Sequence, residues 1–210
     1  LDLIDNNHAD ADLFQKAGYS LQKEKRYKEA IEAYRKADVL KPDHVWTIRH
    51  LAVCYRQCGD YASALEYYKK AESIQPENKN IIFAIGSCLA EQERYDEALQ
   101  QFFKLDFMEN NSLKAWRAIG WCSFVSGKYQ QAMKHYEKVI AAKPTATDYL
   151  NAGHVAWSLG NLEKTCEYYE KSILELGGKE AFLEVFLKDK ETLLKQGIAS
   201  EDIPLVLDLI

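Results

Sequence analysis

Histidine and cysteine side chains follow one another along one stretch of the chain at the spacing of successive helical turns. His50, Cys54 and Cys58 stand at i, i+4 and i+8, which places three metal-ligating side chains along one side of a helix. Tetrahedral zinc sites, however, usually draw ligands from more than one segment. Cys54 also shares its place in a repeating pattern with Cys88 and Cys122, where packing explains a small apolar side chain. We therefore predict a packing role here, with no metal and no other cofactor.

No catalytic motif is visible in the rest of the sequence. It contains no phosphate-binding glycine loop, no Gly-x-Ser-x-Gly elbow and no His-Glu-x-x-His. Carboxylates such as Glu29, Asp96 and Glu97 stand beside basic residues, as on a solvated helix surface. We therefore predict that the chain is not an enzyme. The histidines are scattered along the chain: His8, His44, His50, His135 and His154.

Composition and charge narrow the class of partner. Hydrophobic residues make up 47% and charged residues 28% of the 210 residues, which is enough apolar surface to bury a core. The net charge of −5 argues against nucleic acid as a partner, because nucleic-acid-binding domains usually carry a basic excess. No apolar stretch approaches the ~20 residues of a membrane-spanning helix. Buried, reduced cysteines favour a cytoplasmic setting, although a chain that begins at Leu1 shows nothing of an N-terminal signal.

The elements that must position these side chains repeat along the sequence. A small residue is followed twelve positions later by an alanine or a threonine. The pattern recurs after 34 residues between the first four copies, as from Gly86 to Gly120, and after 33 residues in the last. This period is typical of stacked helix–turn–helix units. The five copies are Gly18 with Ala30, Ala52 with Ala64, Gly86 with Ala98, Gly120 with Ala132, and Gly153 with Thr165.

Aromatic residues accompany every copy of this pattern. Tyr27, for example, opens a second helix, and Tyr34 follows seven residues later. The segment Trp116–Gly120, Trp-Arg-Ala-Ile-Gly, is a near match to Trp-x2-Leu-Gly, the start of the tetratricopeptide signature. Over residues 11–178 the chain closely resembles the tetratricopeptide repeat family. The second helices are predicted to begin at Tyr27, Tyr61, Tyr95, Tyr129 and Leu162.

The resemblance implies an all-α fold, an α-solenoid of antiparallel helix pairs forming the tetratricopeptide superhelix. An amphipathic helix over residues 179–196 is predicted to end at Gly197, and Ser200 to cap a last short helix. Residues 1–10 are interpreted as the tail of a preceding repeat helix or, alternatively, as a frayed terminus. The predicted organisation is residues 1–10, five repeats at 11–44, 45–78, 79–112, 113–145 and 146–178, and C-terminal capping helices at 179–210.

By analogy with the family, the first helices line a concave groove that binds a peptide. The residues at groove positions are rich in cations and aromatic rings, which favour an acidic or C-terminal carboxylate segment of a partner protein. The alternative is that Trp121 and Trp157 pack between helices and that the arginines are merely solvated. The groove candidates are Tyr19, Trp46, Arg49, His50, Arg56, Phe83, Lys114, Arg117, Trp121, Asn151, His154 and Trp157.

The leading functional hypothesis is a protein–protein interaction scaffold that binds a partner peptide. The lysine and asparagine clamp of chaperone-binding family members is absent from every window of three repeats, so a co-chaperone role is not predicted. Two alternatives stay open: a self-associating repeat module, and an accessory domain of a larger enzyme or sensor whose chemistry lies elsewhere. The sequence indicates neither the oligomeric state nor the partner.

Overall fold

A computed structural model describes the backbone of residues 2–210 and the side chains of residues 10–210. Over this part of the chain it contains thirteen helices and no strand, and the chain divides into unit 1, Leu1–Lys104, and unit 2, Leu105–Ile210. The helices are α1 Asp2–Lys23, α2 Tyr27–Leu40, α3 Val45–Gln57, α4 Tyr61–Ile74, α5 Lys79–Glu91, α6 Tyr95–Glu109, α7 Leu113–Val125, α8 Tyr129–Ala142, α9 Ala146–Ser158, α10 Leu162–Leu176, α11 Lys179–Phe186, α12 Lys190–Lys195 and α13 Asp202–Asp208.

The helix pairs follow the sequence pattern closely. Every second helix begins at the predicted aromatic residue or, in α10, at Leu162. Each predicted repeat interval contains one helix pair, although α1 begins before residue 11. The all-α architecture of repeated helix pairs is therefore confirmed.

Within each pair, a small residue on the first helix lies against an aromatic ring on the second. A Cβ atom built on Gly86 would lie 2.6 Å from the ring of Phe102, and one on Gly153 would lie 2.3 Å from the ring of Tyr169. Real Cβ atoms do not approach so closely, so glycine is what lets the two helices touch. The aromatic partners are almost fully buried and form the core of each unit.

The N-terminal residues differ from the expectation. α1 is a single helix from Asp2 to Lys23, so residues 2–10 continue directly into the first helix of the first repeat. The tail of a separate preceding helix would be set off by a turn, as at the later junctions between repeats. Leu1 lies outside the described residues.

The C-terminal region also differs from the expectation of one helix over residues 179–196. α11 ends at Phe186 and α12 begins at Lys190, because the chain bends between them and brings Asp189 to the ring of His154. Gly197 follows α12 with a left-handed φ of 88°, as predicted for a helix stop. Ser200 does not cap the last helix: α13 begins at Asp202, after Glu201, without a side-chain cap.

Candidate functional site

An aromatic cluster joins α1, α2 and α3 in unit 1. The ring centroid of Trp46 lies 4.1 Å from that of His50 and 6.1 Å from that of Tyr19, and Tyr34 lies within 6 Å of both Trp46 and His50. Tyr19 and Trp46 keep 41% and 37% of their surface exposed. The cluster is therefore anchored on the buried ring of Tyr34 and presents two rings to solvent.

A half-buried amide fixes the tautomer of the histidine in this cluster. The Tyr34 hydroxyl donates to Gln22 Oε1 at 3.0 Å, and His50 Nδ1 lies 2.8 Å from the same oxygen. Because Gln22 Oε1 can only accept, His50 Nδ1 carries the hydrogen. Burial, and then the charges of Arg49 and Lys23, lower the pKa of His50 to about 4. His50 is thus neutral at pH 7 and adds ring surface without charge.

A cavity of about 340 Å³ opens beside the exposed rings. Its lining includes Gln15, whose Nε2 donates to Thr47 Oγ1 at 2.8 Å and to His44 Nδ1 at 3.1 Å. These bonds tie α1 to the start of α3 and give the cavity a rigid floor. The lining residues are Asp12, Gln15, Lys16, Tyr19 and Trp46.

Four cations lie on α1 and α3, and three of them, Lys16, Lys23 and Arg49, lie beside the cluster. Lys23 Nζ lies 5.2 Å from the centroid of the Tyr19 ring, a cation–π contact. Arg49 and Arg56 are seven residues apart on α3, so they share a side of that helix, and both act electrostatically on Tyr68. Among the side chains that the structure describes, none of these cations has a carboxylate within ion-pair distance. They are Lys16, Lys23, Arg49 and Arg56.

We call this surface the unit 1 face. It contains the sequence-predicted candidates Tyr19, Trp46, Arg49 and His50, which the structure brings together on α1 and α3, and Arg56, which lies two turns beyond Arg49 on the same side of α3. Lys16 and Lys23 belong to the same surface. They stand three residues before and four residues after Tyr19, a helical spacing that is visible in the sequence. The roles of Gln15 and Gln22 lie in contacts between helices, which no local pattern indicates. The members of the unit 1 face are Lys16, Tyr19, Lys23, Trp46, Arg49, His50 and Arg56.

Phe83 is the remaining candidate in unit 1, on α5. Its ring is half-buried and lies 5.4 Å from that of Phe102, so it packs onto the second helix of its own repeat. This packing explains the presence of the Phe83 ring without a bound peptide.

In unit 2, Arg117 does not face solvent as an open cation. Its Nε donates to Asp148 Oδ1 at 2.8 Å, and its Nη2 donates to Asp148 Oδ2 at 2.8 Å and to the Lys143 carbonyl at 3.1 Å. Asp148 is buried and belongs to the capping box that begins α9 with Thr145. The prediction that Arg117 pairs with a partner's carboxylate is therefore wrong in this structure, because a carboxylate of the chain already holds it.

Two further groove candidates in unit 2 are buried. His154 is fully buried, with Nδ1 2.7 Å from the Tyr169 hydroxyl and Nε2 3.4 Å from Asp189 Oδ2. Burial lowers the pKa of His154. Trp157 is only 6% exposed. Neither residue can contact a peptide here, which corrects the prediction for both and agrees with the packing alternative for Trp157.

The C-terminal residues cover part of the first helices of unit 2. Gln196 Nε2 donates to the Val125 carbonyl at 3.1 Å, and the Tyr129 hydroxyl donates to the Gln196 carbonyl at 3.2 Å. Trp121 packs, half-buried, against the core cluster that contains Leu193. We call the surface beneath the C-terminal residues the unit 2 face. Its members are Trp121, Val125, His154 and Trp157. Of the other candidates, Asn151 is half-buried and Lys114 is exposed.

The helix that carries His50, Cys54 and Cys58 does not assemble a metal site. Cys54 is buried and Cys58 is exposed, while His50 Nδ1 is engaged by Gln22. Over the described residues, no group of three or more histidine, cysteine or acidic side chains could hold a metal ion. Burial raises the pKa of the Cys54 thiol to about 12, so this thiol is unreactive at neutral pH.

Comparison with known proteins agrees with this geometry. Models of the tetratricopeptide repeat match residues 11–44, 55–122, 113–146 and 149–174, which together span most of the chain. The chain belongs to the tetratricopeptide repeat family. Among curated protein sequences, none matches it.

Solved tetratricopeptide structures share the fold at low sequence identity. YrrB, described as a TPR protein with an unusual peptide-binding site, is 22% identical with a TM-score of 0.71, over 88% of this chain and 95% of YrrB. MamA from Desulfovibrio magneticus RS-1 is 13% identical with a TM-score of 0.74, over 78% of this chain and 93% of MamA. PilF of Pseudomonas aeruginosa is 20% identical with a TM-score of 0.65, over 91% and 90%.

Membership of the tetratricopeptide repeat family supports a repeat scaffold for protein interaction, the usual role of such arrays. Such arrays are generally not enzymes. In the described part of the chain, no helix combines the length and apolar character needed to cross a membrane.

Proposed function

We propose that the chain is a protein-interaction module whose unit 1 face binds an acidic segment of a partner protein. The observation that carries the proposal is the set of three cations, Lys16, Lys23 and Arg49, beside the half-exposed rings of Tyr19 and Trp46, with Arg56 farther along α3. Among the described side chains, none of the four has a carboxylate within ion-pair distance. Cations without a carboxylate partner among the described side chains are available to a ligand's carboxylates.

The face supplies two kinds of contact. Lys16, Arg49 and Arg56 attract carboxylates, and arginine can pair with them in bidentate fashion. The cavity beside Tyr19 and Trp46 has room for one apolar side chain of the same segment, and buried aromatic contacts usually dominate binding energy. The expected ligand is therefore an acidic peptide with an apolar residue among its carboxylates.

A peptide-selection experiment tests the proposal. A library of random 16-residue peptides is selected on the purified chain, and the enriched peptides are measured by fluorescence anisotropy. Arg49→Glu/Arg56→Glu should weaken binding at least about tenfold, or about 1.4 kcal/mol, because two attractive charges become repulsive.

The matched control is Lys28→Glu/Lys69→Glu, which makes the same change of net charge at exposed positions on the second helices α2 and α4. This control should bind like the wild type. Selection of peptides without acidic enrichment, or equal losses in both variants, would remove the unit 1 face from the proposal. Tighter binding of a single-stranded oligonucleotide than of any peptide would replace the peptide as the ligand.

A further inference from the structure

The C-terminal segment, residues 187–210, lies on the first helices of unit 2 in addition to extending the stack. α11 packs its Phe182 and Phe186 against Tyr169 of α10, which is where a capping helix is expected. After α11 the chain no longer packs on α10. They reach the end of α7 through the Gln196 bond to the Val125 carbonyl, and α9 through Asp189 and His154.

The surface under this segment is formed by the repeats themselves. The His154 ring is held by the Tyr169 hydroxyl at 2.7 Å and stacks on Phe124 at 6.2 Å between centroids. Trp157 lies edge-on to Tyr169 at 6.4 Å. These contacts come from α7, α9 and α10, so the unit 2 face keeps its own internal support when the segment is absent.

The fit between segment and surface is loose. A cavity of about 480 Å³ remains between the turn that joins α9 to α10 and the segment, with Trp157, Leu162, Ile198 and Val206 among its lining. The Ser158 hydroxyl beside it is buried without a hydrogen-bond partner. This cavity is open to solvent on one side, so the segment does not pack completely over the surface beneath it. Contacts at this junction are therefore fewer than a permanent core would have.

The segment is also weakly held by its own structure. α12 has six residues and α13 has seven, and helices this short are not stable alone in water. Gly197 joins them with a left-handed φ of 88°. Leu205 and Leu209 leave about three fifths of their surface exposed, so the segment does not bury all its apolar side chains. Such a segment can open while the repeats stay folded.

We propose that residues 187–210 are a built-in occupant of the unit 2 face, and that an amphipathic helical segment of a partner protein displaces them. The inference concerns unit 2 and does not rest on the acidic-peptide site of unit 1. It gives the chain a second binding surface, closed by the chain itself.

The seated segment indicates the chemistry of the partner. Leu193, Ile203 and Val206 supply its buried apolar surface. The Gln196 side chain donates its amide N–H to the Val125 carbonyl, and its Oε1 accepts from the Tyr129 hydroxyl. A competing segment therefore needs an apolar helix face and an amide side chain, with a carboxylate placed to reach His154.

The test uses a fluorescein-labelled peptide of residues 187–210 added to the full chain. The full-length variant Gln196→Ala/Val206→Ala holds its own segment weakly, so it should bind the peptide at least about tenfold more tightly than the wild type does. A peptide carrying Gln196→Ala and Leu193→Asp is the matched control and should not bind. Equal binding to the two proteins, or no binding to either, would overturn the proposal.

Hydrogen–deuterium exchange on the wild type gives a second readout that needs no variant. The amides of α12 and α13 should exchange at least about a hundredfold faster than those of α9 and α10, because the segment opens without global unfolding. If all four helices exchange at one rate, the segment is part of the permanent core and the proposal fails. Fast exchange without peptide binding would show a frayed end alone and would also contradict it.

Discussion

At the scale of single residues, the contact between a small residue and an aromatic ring decides how close each helix pair can come. Gly153 and Tyr169 form the tightest of these contacts, at 2.3 Å from the ideal Cβ position to the ring. In the second repeat Ala52 occupies the same position opposite Tyr68, and both are buried. The same design thus accepts a methyl group in one repeat and has no room for it in another.

Substituting Gly153 by alanine should therefore destabilise the protein. Alanine is favoured over glycine within a helix by about 1 kcal/mol, which alone would stabilise α9. Overpacking against the fully buried Tyr169 costs about 1–3 kcal/mol and should outweigh that gain. Urea unfolding measures the net change, and a more stable Gly153→Ala protein would show that the ring can move aside.

The control for this substitution is Ala52→Gly. It removes a methyl group where the structure accommodates one, so it should cost about 1 kcal/mol from helix propensity together with a small loss of packing. Both variants are then destabilised, although the chemical changes are opposite. That result would show that each pair is matched to its own side chains.

His50 provides a prediction about pH. Its pKa is lowered to about 4 by burial and by the neighbouring charges of Arg49 and Lys23. An NMR titration should therefore show the ring changing its charge below pH 5. Arg49→Gln should raise the pKa of His50, because it removes a cation that opposes protonation. Titration near the ordinary value of 6.5 would mean that the cluster with Trp46 is open to water.

The same shift links stability to pH. Between pH 6.5 and 4 the unfolded chain protonates His50 while the folded chain does not, so the free energy of unfolding decreases as the pH falls through this window. Above pH 6.5 the contribution is fully present. His50→Gln should make the stability profile flatter in that window, and an unchanged slope would assign the effect to other groups.

At the scale of elements, the turns between the two helices of each repeat all need one residue with a left-handed backbone. Glycine supplies it at Gly59, Gly127 and Gly160, with φ of 75–79°. Lys25 and Glu93 stand at the corresponding places with φ of 61° and 57°. Side chains other than glycine are strained in this region by about 1–2 kcal/mol.

Exchanging the residue types at two of these turns should move stability in opposite directions. Glu93→Gly should stabilise the protein by up to about 1 kcal/mol, because relief of strain exceeds the extra entropy of glycine in the unfolded chain. Gly127→Ala should destabilise it by about 1 kcal/mol. Thermal unfolding compares the two, and a shift in the same direction for both would contradict the strain argument.

At the scale of the whole molecule, the two units use their first helices differently. On the unit 1 face, Lys16, Lys23, Arg49 and Arg56 lack carboxylate partners among the described side chains, and the rings of Tyr19 and Trp46 are half-exposed. In unit 2 Asp148 binds Arg117, and the C-terminal segment lies at His154. A chain of similar repeats therefore presents two chemically distinct surfaces.

Salt should separate the two surfaces in binding experiments. Binding of an acidic peptide to the unit 1 face should weaken by about tenfold between 50 and 500 mM NaCl, because exposed charges are screened. Binding of the residue 187–210 peptide to the variant with a weakened segment should change much less, since it buries mainly apolar side chains. Anisotropy at several salt concentrations measures both, and equal slopes would contradict the distinction.

The sequence predicts the repeats well because their period is local. Tyr27 and its counterparts mark the start of each second helix, and stacking in register makes five weak signals into one strong pattern. Part of the unit 1 face could also be predicted from the sequence, since Trp46, Arg49 and Arg56 lie on one helix at regular spacing. Lys23 follows Tyr19 by one helical turn and could have been included.

The covering of unit 2 could not be predicted in this way. The bonds from Gln196 to Val125 and from Asp189 to His154 join residues 71 and 35 positions apart, and no repeat pattern encodes them. The ion pair between Arg117 and Asp148 likewise joins one repeat to the next. Such contacts depend on where the chain travels after the last repeat and on side-chain geometry.

The contact between Gly153 and Tyr169 also bears on how chains of this kind can recombine in evolution. A crossover in the turn between the two helices of a repeat would join an alanine-bearing first helix, such as the one with Ala52, to a second helix whose ring leaves no space for it. A crossover between repeats transfers the small residue and its ring together. The inherited module is therefore the matched helix pair, and duplication or exchange of single helices would be selected against.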